Sequence, residues 1–282
     1  MEELVDYWET FFSSDQPYAD WWARKKEICK KRDATIVRIQ GEGNLYQELR
    51  QSNRQQVYYN LHLKMFVKQS NTFYLEEQYI PYQFHLKNNA IRNHTKLSFM
   101  EAEDTYGTEN LKIFEQIPEE SRFSYDRLAA VKYANRWWNS YNPSYRKFDV
   151  DCTNYISQCL FAGGAPMRGA PNRNNGWWYN ASSWSFSWAV AHSLRWYLSG
   201  STSGLKGKEM GSAAELIPGD VICYDFEGDG RWNHNTIVVA KDANGEPLVN
   251  AHTTNSKNRY WSYEDSTAWT PNIAYKFFRI GE

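Results

Sequence analysis

Between Val57 and Val67 the chain alternates without a break. Val57, Tyr59, Leu61, Leu63, Met65 and Val67 are apolar, and they interleave with Tyr58, Asn60, His62, Lys64, Phe66 and Lys68. Side chains of a strand point to opposite faces in turn, so this run buries one face and leaves the other mostly in water. Such a strand needs antiparallel neighbours and a cover over its apolar face. Ser70-Asn71 reads as the turn into a second long strand over 72–86, with a third over 91–101 and an earlier one from Thr35 to Ile39. Leu4, Trp8, Phe11 and Phe12 fall at helical spacing over residues 2–13, and a second helix is expected from Tyr18 to Lys31. Together these predict a small α+β domain at 1–105. Its His62, His85 and His94 cluster with neither cysteine nor paired acids and read as surface residues.

From Ala102 to Glu120 the sequence is acidic, carries Gly107 and Pro118 and has no period, so 106–122 is read as a linker. A new helix is expected from Ser124 as N-cap, with Asp126 in its first turn, to about Asn139, ahead of Asn142-Pro143. Short strands punctuated by Gly, Asn and Asp then fill a second α+β domain at 123–282.

Charge and cysteine usage remove several function classes. A net charge of -1 gives no broad electrostatic hold on nucleic acid. No apolar run reaches the roughly 18–20 residues of a membrane span. MEELVDYW carries acids where a signal peptide has basic residues, so the expectation is a cytoplasmic chain unless a signal has been removed. The four cysteines include no CxxC pair.

The segment Asp149 to Gly164 reads DVDCTNYISQCLFAGG. Tyr155, Ile156, Cys159 and Leu160 share one helical face, and Gly163-Gly164 ends the helix, which puts Cys152 at its N-terminus. Free N–H groups and peptide dipoles there favour a thiolate and can hold an oxyanion. At about 1.5 Å rise per residue, Cys159 lies about 10 Å further on, too far for a disulfide. It reads as a structural thiol. A thiolate nucleophile needs a base that can return a proton to a leaving amine, and histidine suits that work. His234 opens the run HNTIVVA, and His252 closes PLVNAHTT on the next expected strand. Asn250, two residues earlier, competes with His252 for the orienting role.

The pattern DCTNYISQCLFAGG, IPGDVICYD, NHNTIVVA, VNAHTT resembles the putative amidase domain family of Bacillus-like bacteria and, more distantly, the NlpC-type cell-wall peptidases of the papain-like superfamily. The resemblance covers roughly 124–280. It implies a papain-like (NlpC-type) catalytic domain, an antiparallel sheet packed on the nucleophile helix, that cleaves an amide or peptide bond without a cofactor. By it Cys152 is the nucleophile, His234 the base and His252 the orienting residue. Tyr141 or Tyr145 would serve the oxyanion. From the residues themselves, Asp151 and Asn154 are support candidates, Asn154 either bracing the loop before Cys152 or bonding neighbouring loops. The implied substrate is a peptide or a cell-wall-derived amide. The chain is 17% aromatic, and Trp177, Trp178 and Tyr179 are the candidates for a substrate groove.

Rival chemistries are weaker. Cys152, Cys223, His234 and His252 could be imagined around zinc, but structural zinc ligands come in close pairs and these do not, so no metal is expected. Asp225, Glu227, Asp229 and Gly230 imitate part of a calcium loop without its later glutamate and read as an acidic hairpin turn. The rival function is a papain-like module that grips a peptide or glycan through aromatics without cleaving it.

Overall fold

The computed structural model describes residues 2–13, 21–51, 54–87, 90–97 and 123–281, so the expected linker at 106–122 lies outside the described residues. The chain divides into two compact units, Met1–Ser98 with Tyr263–Ala268, and Phe99–Ser262 with Trp269–Glu282. Both are α+β.

In the first unit, helices α1 (Glu2–Ser13) and α2 (Trp21–Lys31) precede strands β1 (Ala34–Gln51), β2 (Arg54–Gln69), β3 (Thr72–Lys87) and β4 (Ala90–Lys96). Each strand pairs antiparallel with the next. The alternating residues of β2 from Val57 to Val67 are the inward face, each no more than 2% exposed, and Leu4, Trp8 and Trp22 complete their core. β1 is far longer than the strand expected at Thr35–Ile39. Gly41 and Gly43 sit inside the strand opposite Leu63 and Leu61. A Cβ on Gly43 would meet Tyr59 at 3.6 Å and Leu4 of α1 at 3.7 Å, both ordinary contacts.

Segment Tyr263–Ala268 is held in this unit by α2. Arg24 donates to the carbonyls of Glu264 (2.6 Å) and Ser266 (2.8 Å). The buried Lys25 lies 2.5 Å from Glu76 and 3.5 Å from Asp265. Burial alone would lower the Lys25 pKa, but these two carboxylates more than offset it and raise it. His94 is no surface histidine. It stacks among Tyr59 and Tyr82 and meets the Tyr59 hydroxyl at 2.6 Å.

The second unit holds helices α3 (Arg127–Trp137), α4 (Cys152–Ala162), α5 (Phe186–Ala189) and α6 (Ala191–Gly200). Its strands are β5 (Gly207–Met210), β6 (Val221–Asp225), β7 (His234–Lys241), β8 (Pro247–Ala251), β9 (Asn255–Tyr260) and β10 (Ala274–Ile280). They form an antiparallel sheet in the order β9-β8-β7-β6-β10-β5. α3 starts two residues later than Ser124 suggests. Its N-cap is Asp126, whose carboxylate accepts from the Ala129 N–H at 2.9 Å. α4 packs against α3, α5 and the middle strands β7 and β8. It ends at Gly163, where a Cβ would strike the Tyr125 ring at 2.4 Å, so only glycine admits that packing.

Candidate functional site

Every residue of α4 from Cys152 to Leu160 is buried, not just one apolar stripe. The polar ones are therefore partnered, as burial demands. Gln158 accepts from the Tyr133 hydroxyl at 2.7 Å, and Ser157 donates to the Trp188 carbonyl at 2.8 Å. Asn154 donates at 2.9 Å to the Arg146 carbonyl and at 2.9 Å to Asp151, while its oxygen accepts from the Trp188 indole. It thus braces the strap of chain that leads into Cys152.

Cys152 is the first residue of α4 and only 1% exposed, with Sγ 3.6 Å from Thr153 Oγ1. Asp151 stands at the N-cap position, but its carboxylate does not cap the helix. Instead Oδ1 accepts from the Phe148 N–H and Asn154, and Oδ2 meets His252 Nδ1 at 2.8 Å. The first-turn N–H groups are thereby left to whatever occupies the helix end. The other thiols belong to a different chemistry. Burial pushes those of Cys29, Cys159 and Cys223 up, which keeps them protonated.

His252 is brought to this helix end. Its Nδ1 meets Asp151, its Nε2 lies 2.8 Å from the Trp137 carbonyl, and the Tyr155 ring stacks on it at 4.0 Å. Tyr155 is one turn along from Cys152, so the imidazole lies against the first turn of α4. Both ring nitrogens face acceptors, an arrangement satisfied in full only by a ring carrying both protons.

His234 belongs to the neighbouring strand. It opens β7 opposite Tyr224, and its ring lies beside Tyr224 (5.6 Å) and stacks on Phe226 (6.0 Å). The next residue, Asn235, is the one that reaches α4, donating to Thr153 at 3.0 Å. Since neighbours on a strand point to opposite faces, His234 faces away from the α4 side of the sheet. Burial, aided by the Arg259 charge, pushes its pKa down to about 3. Of the expected Cys152–His234–His252 order, His252 meets Asp151 at the start of α4, and the His234 ring meets Tyr224 and Phe226. Asp151, not His234, is what His252 Nδ1 meets. Asn250, the rival orienting residue, is engaged with Asn135 (3.1 Å) and the Asn258 N–H.

The tyrosines divide. Tyr141 sets its edge against His252 at 5.0 Å, whereas Tyr145 packs on Tyr179 and Trp188. The groove expected from Trp177 and Trp178 is a correction, because both are core residues at 0% and 2% exposure. Their indoles bond Ser157 and the Asn172 carbonyl. Aromatic density in the sequence cannot distinguish core from groove. Tyr179 is half-buried and accepts from the Arg146 N–H at 2.8 Å. The Asp225 carboxylate is occupied by the N–H groups of Gly228 and Gly230, as a hairpin turn requires. No group of three or more His, Cys, Asp or Glu placed to hold a metal occurs among the described residues. The sequence reading undervalued Asp151. An acid before a helix reads as a cap, and its pairing with a residue a hundred positions away carries no local signal.

A cysteine therefore opens a helix whose end has no side-chain cap, packed against an antiparallel sheet and beside an acid–histidine pair. Residues 124–278 match the family described as putative amidase domain, and the chain belongs to it. Membership suggests amide hydrolysis. The chain is 47% identical over 263 residues to the uncharacterized protein YhbB of Bacillus subtilis (strain 168), covering 91% of this chain and 85% of that one. It is 30% identical over 143 residues to the uncharacterized protein YjcM of the same organism, covering 48% of this chain and 32% of YjcM. That second match spans about a third of YjcM's length. No solved structure matches.

Proposed function

We propose that the chain is a papain-like cysteine amidase in which Cys152 is the nucleophile and His252, held by Asp151, transfers the proton. The observation that carries this reading is the 2.8 Å pair of His252 and Asp151, the residue that immediately precedes the N-terminal cysteine of a buried helix. The Cys152 sulfur attacks the carbonyl carbon of the amide as a thiolate, favoured by the helix end and by a protonated imidazole at its first turn. The carbonyl oxygen gathers the charge and is met by the first-turn N–H groups. As the C–N bond breaks, the amine leaves with a proton from His252, and a thioester remains on Cys152. Water then attacks the thioester, His252 takes a proton from it, and the acid and the Cys152 thiolate are released, which restores the starting ion pair. His252 Nε2 rests on the Trp137 carbonyl, so transfer requires that bond to be exchanged for one to the reacting groups. In this reading His252, rather than His234, carries the proton, because the acid–histidine pair stands at the helix start.

The substrate class proposed is a peptide amide, including those of bacterial cell-wall peptides. Incubation with a panel of muropeptides and synthetic peptide amides, read by mass spectrometry, tests the reading. Cleavage that disappears in Cys152→Ser, with a thioester-mass adduct on Cys152 in the parent, is expected. Cleavage that persists in Cys152→Ser contradicts it. The near-complete burial of Cys152 favours a second reading, a module that binds peptide without cleaving it. Binding of peptide with no cleavage and no adduct selects that one.

A further inference from the structure

Thr153 follows Cys152 in the first turn of α4 and is buried. A threonine inside a helix commonly turns its hydroxyl back to a carbonyl one turn earlier. This one is engaged by two side chains instead. Asn235, the second residue of β7, donates from Nδ2 to Thr153 Oγ1 at 3.0 Å, and Cys152 Sγ lies 3.6 Å from the same oxygen. Because Asn235 supplies one hydrogen to that oxygen, the hydroxyl's own hydrogen is left for the sulfur. The other half of the amide has no such work. Asn235 is 0% exposed, and its Oδ1 is a buried acceptor with no hydrogen-bond partner among the described residues. An unsatisfied buried acceptor weakens a fold, and an apolar side chain of similar shape would avoid that loss. The amide is therefore poorly placed for stability and well placed for holding Thr153. The ionisable groups packed here, among the described residues, are Asp151 and His252, paired with each other, and Cys223 of β6, which lies opposite Asn235 and whose thiol burial pushes up.

We propose that Thr153 donates a hydrogen bond to the Cys152 thiolate, and that Asn235 is the positioning residue that aims it. This deepens the amidase reading and rests on it for the role of Cys152. A hydrogen bond to the charged form of a group favours that form, so the chain Asn235–Thr153–Cys152 lowers the thiol pKa. The bond from Asn235 fixes the hydroxyl rotor and polarises its O–H, which makes it a stronger donor. The contact acts most in the free protein, because the sulfur gives up its charge once it bonds to the carbonyl carbon.

The full-length protein is titrated with pH while the ultraviolet absorbance of the thiolate is followed. The same titration of Cys152→Ser is subtracted, so that Cys152 alone is read. Thr153→Val, which keeps the shape and removes the hydroxyl, should raise the Cys152 midpoint by about one pH unit, a roughly tenfold loss of thiolate below it. Thr153→Ser should leave the midpoint at the parental value. Asn235→Leu should raise it by about half a unit, since the hydroxyl remains but is no longer aimed. Its urea midpoint should stay at or above the parental one, because the stranded acceptor is gone. That pairing separates positioning from a structural role. If Thr153→Val does not fold, the thiolate midpoint of Asn235→Leu decides. A midpoint unmoved in Thr153→Val, equal rises in Thr153→Val and Thr153→Ser, or an Asn235→Leu protein that loses stability with its thiolate midpoint unmoved overturns the proposal. The expected shifts in a protein that cleaves no amide strike the amidase reading alone. Amide cleavage that needs Cys152, with the midpoint unmoved in Thr153→Val, strikes this contact alone.

Discussion

Nδ1 of His252 lies 2.8 Å from Oδ2 of Asp151, which immediately precedes Cys152 in the chain. This contact ties the end of β8 to the start of α4. It also explains why Asp151 leaves the helix uncapped, since one of its oxygens serves the imidazole and the other the strap.

Removing that pair should cost activity more than stability. His252→Ala is expected to lower amide hydrolysis by about 10²–10⁴-fold, the usual range for a lost general acid–base group. Asp151→Asn, which keeps the shape and removes the charge, should fall between that variant and the parent. Steady-state kinetics beside a thermal melt separates the two effects. A variant that melts normally and cleaves at the parental rate would remove His252 from the mechanism.

His234 supplies the contrasting case. Because its ring faces Tyr224 and Phe226, His234→Gln should change the alkylation rate of Cys152 by less than about threefold. A loss comparable to that of His252→Ala would mean that His234 reaches the sulfur during turnover.

Acid should destabilise the protein through its buried imidazoles. Burial pushes His94 down to about 4 and His234 to about 3, against about 6.5 in an unfolded chain. The unfolded state therefore binds more protons below about pH 6.5, and stability falls with pH until the folded pKa values are passed. His234, fully buried, contributes on the order of a few kcal/mol across that window, and His94, only partly buried, contributes less. Urea titrations at pH 7, 5.5 and 4.5 should show falling midpoints, with a shallower fall in His94→Gln.

Lys25, Glu76 and Asp265 form the buried ionic centre of the first unit. Lys25→Met should destabilise that unit by about 3–5 kcal/mol, because it strands two buried acids. Adding Glu76→Gln should recover part of the loss. Urea midpoints of the single and double variants check this, and a Lys25→Met protein as stable as the parent would show that the acids reach water.

Features with a local period were legible in the sequence. The face of β2, helix α1 and the placement of Cys152 at the start of α4 all follow from spacing within one element. What depends on distant partners was not. The length of β1 beyond Ile39 depends on its pairing with β2, which continues opposite Gly41 and Gly43. Trp177 and Trp178 look like a groove until Ser157 and the Asn172 carbonyl are found holding them in the core. For His234, a strand's first residue can face either side, and only the bond from Asn235 to Thr153 fixes which.

The central claim, that Cys152 is a nucleophile activated at the start of α4 by His252, is tested most directly by site-resolved alkylation. Native protein is treated with iodoacetamide at pH 6.5, and each cysteine is quantified by mass spectrometry over time. The account predicts that Cys152 reacts at least about tenfold faster than Cys29, Cys159 and Cys223, and that His252→Ala abolishes the difference. Four cysteines labelling at one slow rate, or a fast Cys152 indifferent to His252→Ala, would contradict it.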